Sequence, residues 1–258
     1  MKFFNFLTAF ICLQFAVCGA TLAKEENTLY QVSTIDALLG GVLDGEVSFK
    51  TLKKKGDFGI GTFNGLDGEM IAFHGDFYQI KSDGSVFPAK DDMKTPFSSI
   101  VFFDPAKKVH IEDPLAYGDL SAKLDPSLPS VNLIYAIQIR GNFEYIKTRS
   151  VPRQEKPYPN LTEVVKTQPT YEFKNVRGTL VGFRFPPYMK GLNVPGYHIH
   201  FLTEDHKGGG HVLDWKIDDV DIMVDEISGF RMDLPNTDEF FQIDLSKDKT
   251  ADLAKVEK

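Results

Sequence analysis

The amino-acid sequence predicts an α+β fold rich in strands, with two similar layers of mixed or antiparallel sheet and a few short helices. Short apolar runs separated by Gly and Asp-Gly turn signals dominate from residue 57 onward, and few segments have helical spacing. The 22 phenylalanines favour sheets, because aromatic side chains pack well on half-buried pleated surfaces. A short internal similarity between GIGTFNG at 59–65 and VRGTLVGF at 176–183 is consistent with duplication of one α+β unit in the two halves of the chain, but it is too short to carry weight alone.

The first 23 residues have the pattern of a cleavable secretory signal peptide. Lys2 gives a positive start, an apolar run covers residues 3–17, and Ala20 or Ala23 follows as the last residue before cleavage. The apolar run is shorter than the roughly 20 residues that a membrane-spanning helix needs. We therefore expect a secreted or periplasmic protein with no membrane association after the signal is removed.

Both cysteines of the chain, Cys12 and Cys18, lie inside this predicted signal peptide. Cys18 and Gly19 could mark a lipidation site, but Val17 is bulky where a lipoprotein signal normally has a small residue. The mature chain therefore has no thiolate to offer a metal ion, so nitrogen and oxygen atoms must hold any metal.

The charge balance of the mature chain argues against nucleic acid as a partner. The 29 basic residues minus Lys2 leave 28 against 36 acidic residues, a formal charge of −8. Such a surface repels phosphate backbones and anionic lipids. A small anionic substrate would need a local positive site on this protein.

The helices are predicted in three places. One begins with Ser33 as its N-cap and ends near Gly45, a second runs from Ser48 to Lys55, and a third covers 161–165 after Asn160.

The strands occupy most of the remaining chain. Asp67-Gly68 and Asp83-Gly84 are hairpin signals inside a predicted meander of strands over 57–89. Later strands are predicted at 96–103, 131–139, 143–149, 176–185, 196–203, 212–217, 220–224 and 230–234. The proline-rich segment 153–169 is the predicted link between an N-terminal α+β sheet domain, 24–152, and a C-terminal metal-binding sheet domain with a C-terminal tail, 153–258.

Three histidines carry the clearest chemical signal. His198 and His200 are two apart on a predicted strand, so both side chains leave the same face. A loop with Gly208 to Gly210 turns the chain back, so that His211 can face the pair across a hairpin. Three neutral imidazoles with one open position are the ligand set of a catalytic zinc site.

Two other interpretations of the histidines remain open. A cupin-like metal oxidoreductase also uses a strand-borne His-x-His, and Glu204 fits its carboxylate ligand, although His211 follows too soon for that fold. A non-catalytic zinc-binding domain would need a closed fourth ligand, for which Glu204 or Asp205 is available.

Several blocks in order resemble the alpha-acetolactate decarboxylase family, from about residue 29 to the C-terminus. This resemblance implies a zinc-dependent carboxy-lyase, with homodimers, that converts 2-acetolactate to acetoin and carbon dioxide in acetoin and butanediol metabolism. The blocks are LYQVSTIDALLGGVLDG at 29–45, GTFNGLDGE at 61–69, IKTRSVP at 146–152 and HIHFLTEDHKGGGH at 198–211.

The resemblance also implies roles for individual residues. His198, His200 and His211 would bind zinc, and Arg149 would bind substrate and assist catalysis. Glu69 and Glu257 would be the catalytic carboxylates, with Glu239 and Asp252 as alternatives to Glu257 because chain ends align poorly. Thr62 would contact the substrate. Zinc would stabilise the negative charge that decarboxylation leaves on oxygen, and either Glu69 or Glu257 would deliver the final proton.

Overall fold

The computed structural model of the protein describes residues 27–257. The predicted signal peptide lies outside these residues. Sixteen strands and six short α-helices form within the described part. The strands are β1 (Thr28–Val32), β2 (Val47–Ser48), β3 (Phe58–Thr62), β4 (Glu69–Phe73), β5 (Asp76–Ile80), β6 (Val86–Pro88), β7 (Lys94–Thr95), β8 (Ser98–Val101), β9 (Lys107–Ile111), β10 (Leu115–Ala116), β11 (Ile134–Arg149), β12 (Thr170–Phe185), β13 (Gly196–Thr203), β14 (Gly209–Ile217), β15 (Val220–Ile227) and β16 (Gly229–Asp233). The helices are α1 (Ile35–Leu39), α2 (Phe49–Leu52), α3 (Leu120–Leu124), α4 (Leu161–Val164), α5 (Asp238–Gln242) and α6 (Thr250–Val256).

Two seven-stranded sheets make up most of the described structure, which confirms the predicted fold class. The first sheet has the order β16-β1-β8-β3-β4-β5-β6, and it is mixed because β1 pairs with β16 in parallel. The second has the order β10-β14-β13-β12-β11-β15-β9 and is antiparallel. β2 and β7 form a separate two-stranded sheet.

The second sheet closes on itself at one end. β14 pairs with β13 and also with β11, so β11, β12, β13 and β14 form a closed ring. β11 is one continuous strand that pairs with β15 along its first half and with β14 along its second half. A bulge between Phe143 and Tyr145 shifts the alternation. Strand alternation in the sequence predicts a shared face for Phe143, Tyr145, Lys147 and Arg149. The bulge makes that prediction wrong, because Ile146 is buried and Tyr145 is only partly buried.

An apolar cluster joins the two sheets face to face. Phe58, Ile60 and Ile71 from the first sheet belong to the same cluster as Val181 and Phe183 from the second. Each of these side chains is almost fully buried, which stabilises the fold by about 1.5–3 kcal/mol per residue. The sheets are thereby fixed relative to each other, and residues at the edge of their interface are held in place from both sides.

The helices are shorter than the sequence predicts, and α1 ends at Leu39 rather than near Gly45. Thr34, not Ser33, is the N-cap of α1, since its hydroxyl accepts a hydrogen bond from the Ala37 N–H. Ser33 instead has φ of 62°. Ser48 caps α2 as predicted, but the helix ends at Leu52, because Lys53 to Lys55 continue only as turns.

The predicted domain boundary after residue 152 falls between β11 and β12. These strands pair along nearly their whole lengths in the second sheet, and β16, near the C-terminus, pairs with β1 in the first. The division into two folding units stays a prediction. Within residues 27–257, no helix combines the length and the apolar character that crossing a bilayer requires.

Candidate active site

The three histidines meet on the β13–β14 hairpin. His200 lies directly opposite His211 in the register of the two strands, and His198 is one pleat away on β13. All three are buried, and one ring nitrogen from each lies within 4.8 Å of the others. The predicted convergence of His198, His200 and His211 is therefore present.

Two glycines bring this hairpin close to its neighbours. A Cβ atom on Gly210 would lie 2.3 Å from the Arg149 carbonyl oxygen, and the φ of Gly210 is +136°. A Cβ atom on Gly209 would lie 2.2 Å from the Phe201 carbonyl oxygen. The sequence placed these glycines in a loop, but they are the first residues of β14. They permit the tight strand packing that sets His211 beside Arg149.

The environment keeps the imidazoles neutral. Burial lowers the pKa of His198 to about 3 and holds the pKa of His200 and His211 well below the usual value, with the Arg149 charge adding to the effect. The Nδ1 atom of His200 lies 2.8 Å from the Met70 carbonyl oxygen, which fixes the ring and leaves Nε2 facing the cavity. Neutral, oriented imidazoles are the form that binds metal ions.

Glu69 and Arg149 form a buried ion pair beside the histidines. Glu69 begins β4, Arg149 ends β11, and Nη1 of the arginine donates to Oε1 of the glutamate at 2.7 Å. The other oxygen, Oε2, is 3.7 Å from Nε2 of His200. Burial raises the pKa of Glu69 to about 7, although the arginine charge opposes this rise.

Glu257 reaches the same cavity from the end of the chain. It directly follows α6, and its Oε2 lies 3.5 Å from Nε2 of His211 and 4.0 Å from Nε2 of His198. Nη2 of Arg149 donates to the Val256 carbonyl at 3.2 Å, which fixes the residue before Glu257. Burial raises the pKa of Glu257 to about 7, again against the effect of Arg149.

Thr62 lines the cavity, but its hydroxyl already has a partner. Its Oγ1 donates to the Gly68 carbonyl at 2.7 Å, and Thr62 pairs with Glu69 between β3 and β4. The hydroxyl therefore fixes the turn that presents Glu69. A direct contact of Thr62 with substrate stays a prediction.

The alternative carboxylates lie elsewhere. Glu204 pairs with Arg140 at 2.7 Å and with Arg177 at 3.3 Å on the surface. Glu239 pairs with Lys156, and Asp252 pairs with Lys255. Asp205 is exposed and accepts a hydrogen bond from the Thr203 hydroxyl at 2.7 Å. The cupin-like interpretation thus loses Glu204, and the closed structural-zinc interpretation loses both of its candidate carboxylates.

The rest of the cavity wall is apolar, and sequence reasoning missed it. It comes mainly from segments outside the sheets, and the helical spacing of Ile35 and Leu38 was the only signal for it. The apolar lining residues are Ile35, Leu38, Leu66, Phe97, Val151, Leu161 and Val256.

The donor set fits a metal ion. Three neutral imidazole nitrogens converge, and two carboxylate oxygens lie within 4 Å of them. Imidazole nitrogen together with carboxylate oxygen suits a divalent transition metal.

Known proteins share this sequence and fold. The model of the family described as alpha-acetolactate decarboxylase matches residues 29–247, so Glu257 lies beyond the matched part. The alpha-acetolactate decarboxylase of Methanosarcina mazei is 51% identical over 235 residues, which cover 91% of this chain and 82% of that protein. The Bacillus subtilis enzyme is 45% identical over 219 residues, covering 85% of this chain and 86% of the relative.

Solved structures agree with the sequence comparison. The crystal structure of alpha-acetolactate decarboxylase from Bacillus subtilis superposes with a TM-score of 0.86 and 43% identity, covering 89% of this chain and 98% of that one. A Staphylococcus aureus protein described as similar to alpha-acetolactate decarboxylase gives a TM-score of 0.84 at 32% identity, covering 90% of this chain and all of that one. The chain therefore belongs to the alpha-acetolactate decarboxylase family of carboxy-lyases.

Proposed function

We propose that this protein decarboxylates 2-acetolactate to acetoin and carbon dioxide, with zinc as its cofactor. The observation that carries the proposal is the convergence of three neutral histidines, the Glu69–Arg149 pair and Glu257 in one buried cavity. Membership of a carboxy-lyase family and the names of its relatives support the substrate.

The metal would be held by His198, His200 and His211. A zinc ion there would supply Lewis-acid stabilisation for negative charge on substrate oxygen atoms, without redox chemistry of its own. Zinc is favoured by the donor set, because neutral imidazoles and carboxylates are among its usual ligands.

Arg149 is the positive group that an anionic substrate needs in this acidic protein. Its Nη1 and Nη2 atoms already bond to Glu69 and to the Val256 carbonyl. Its Nε is buried with no hydrogen-bond partner among the described atoms, so this N–H can donate to a substrate oxygen. Because the guanidinium is held by two other bonds, it orients the substrate with little loss of its own freedom.

The reaction breaks the bond between the carboxyl carbon and C2. The electron pair left on C2 moves into the neighbouring ketone and gives an enediolate, which must then take a proton on carbon. Glu69 and Glu257 both approach the cavity, and a raised pKa lets each carry a proton near neutral pH. The rest of the cavity wall is apolar, so these two carboxyl groups are the acids with a pKa near neutrality that its lining offers for this step.

The test is acetoin formation from racemic 2-acetolactate by purified residues 24–258, with and without added zinc. A His198→Ala, His200→Ala double variant serves as the comparison. We expect zinc-dependent acetoin formation that disappears in the double variant. A folded, zinc-loaded protein that makes no acetoin above the spontaneous rate would disprove the proposal.

Export and dimer formation are further parts of the proposal. The sequence of residues 1–23 supports export. N-terminal sequencing of the protein from the producing cells tests this, and the expected first residue is Thr21 or Lys24.

The resemblance to the family supports a homodimer. Light scattering of the purified chain measures its mass and so tests this.

A further inference from the structure

The cavity has two chemically different sides. The polar residues that line the cavity lie on strands, directly after them, or at the end of the chain. In contrast, α1 and α4 contribute only apolar side chains. These are Ile35 and Leu38 from α1 and Leu161 from α4, and all three belong to one apolar cluster. The two helices therefore form a wall that makes no polar contact with a bound molecule.

The other apolar residues of the wall are tied to the polar machinery. Leu66 lies in the turn before Glu69, Val151 follows Arg149 by two residues, and Val256 precedes Glu257. Phe97 accepts a hydrogen bond at its carbonyl from the Thr62 N–H. A change at any of these four positions would disturb catalytic groups as well as the size of the cavity. Ile35, Leu38 and Leu161 have no such link through the backbone, and they pack with Val256 in the same apolar cluster as Leu39 and Val164.

The substrate divides in the same way as the cavity. The carboxylate, hydroxyl and ketone oxygens of 2-acetolactate require the histidine, arginine and glutamate side. Its two methyl groups remain, and they match an apolar surface. Resting on the proposed function, we propose that Ile35, Leu38 and Leu161 are specificity-determining residues that contact the alkyl group on C2 and limit its length.

Leu38 and Leu161 are the positions at which the limit can be changed. Both are buried leucines, with 6% and 4% of the residue surface exposed. Truncation to Ala removes side-chain volume next to the cavity, and the space is then available to a longer alkyl group. One methylene group in an apolar pocket typically changes kcat/KM by about 10- to 200-fold.

The same helices contain matched controls. Leu39 on α1 and Val164 on α4 are buried in the same apolar cluster but do not line the cavity. Leu39→Ala and Val164→Ala should therefore destabilise the protein as cavity-forming changes do, without changing which substrate is preferred.

The experiment compares 2-acetolactate with its homologue that carries propyl instead of methyl on C2. Carbon dioxide release is measured with zinc-loaded wild type, L38A, L161A, L39A and V164A. We expect the ratio of kcat/KM for the propyl homologue to that for 2-acetolactate to rise about tenfold in L38A and L161A. The ratio should stay within about twofold of wild type in L39A and V164A.

Where an Ala variant does not fold, substitutions that remove less side-chain volume, or that add volume, keep the test decisive. L38V and L161V should raise the ratio in the same direction, and L161F should lower it. Unchanged ratios in folded variants of both leucines, or an equal change in the controls, would overturn the specificity role while leaving the decarboxylase function intact. Absence of carbon dioxide release by zinc-loaded wild type from 2-acetolactate would instead remove the proposed function and this inference together.

Discussion

The sheet side and the helix side of the cavity are built on different principles. The sheet side holds its histidines and Arg149 within hydrogen-bonded ladders, and β11 and β12 have 16 residues each. The helix side consists of α1, α4 and α6, with five, four and seven residues. Helices this short are not stable alone, so packing against the apolar cluster holds them in place.

The two glutamates show what this difference means for function. Glu69 begins a central strand, pairs with Thr62 and is bonded to Arg149. Glu257 follows a short helix and lies near His211, and its side chain is more exposed, 15% against 6%. The chain thus places one carboxylate by backbone pairing and the other by side-chain packing of a terminal helix. We expect geometry at Glu69 to be the more rigid of the two.

Substitution of a histidine on the sheet side should have the largest effect on activity. We expect His211→Ala to lose bound zinc and to reduce acetoin formation to the spontaneous rate, because two imidazoles bind the ion much more weakly than three. Metal analysis and the acetoin assay measure this. His110→Ala is the control, since His110 lies on β9 beside Asp221 and is half exposed. A fully active His211→Ala protein would contradict the metal assignment.

The next largest effect should come from the strand-held carboxylate. Glu69→Gln keeps the shape but cannot act as an acid or balance the Arg149 charge, so kcat should fall roughly 10²- to 10⁴-fold. Loss of the charge also leaves a buried arginine unpaired, which should lower the free energy of unfolding by about 3–5 kcal/mol. Kinetics and urea unfolding separate the two effects. Glu226→Gln, at an exposed position of β15, should change neither.

Substitution of Gly210, the glycine that lets β14 approach β11, should have a smaller effect, mainly on stability. Gly210→Ala places a Cβ atom 2.3 Å from the Arg149 carbonyl at φ of +136°, so we expect a loss of about 3 kcal/mol in the free energy of unfolding. Gly118→Ala is the matched control, because its Cβ would meet no atom within 4 Å. Equal stability of the two variants would show that the close approach of the strands is not required.

The smallest effect is expected on the helix side. Lys190 pairs with Asp248 at 2.9 Å, and both side chains are at least half exposed. Solvent screens such a pair, so Lys190→Met should change the free energy of unfolding by less than about 1 kcal/mol and leave kcat unchanged. A large loss of activity in this variant would mean that surface charges, rather than apolar packing, position the C-terminal segment.

Local patterns in the sequence were sufficient for much of this structure. The spacing of His198, His200 and His211 predicted their convergence, because side chains two apart on a strand share a face and a hairpin brings its strands together. The turn signals at Asp67-Gly68 and Asp83-Gly84 lie between the strands that they were expected to connect. Strand-rich composition and turn spacing also predicted the fold class.

Other features depended on contacts between distant segments. The bulge in β11 that buries Ile146 follows from pairing with β14, about 70 residues later, and single-strand alternation does not reveal it. The apolar cavity wall draws on residues from 35 to 256 along the chain.

The sequence by itself determined which chemical groups this protein has for metal binding, and the family to which it belongs. The resemblance implied Glu69 and Glu257, but only the tertiary structure decided that these carboxylates, rather than Glu239 or Asp252, reach the histidines. Glu69 and Glu257 enter the cavity, while Glu204, much nearer to the histidines in sequence, pairs with arginines on the surface. The physical reason is that strand alternation acts over a few residues, whereas the packing of sheets and helices brings together groups that are far apart along the chain.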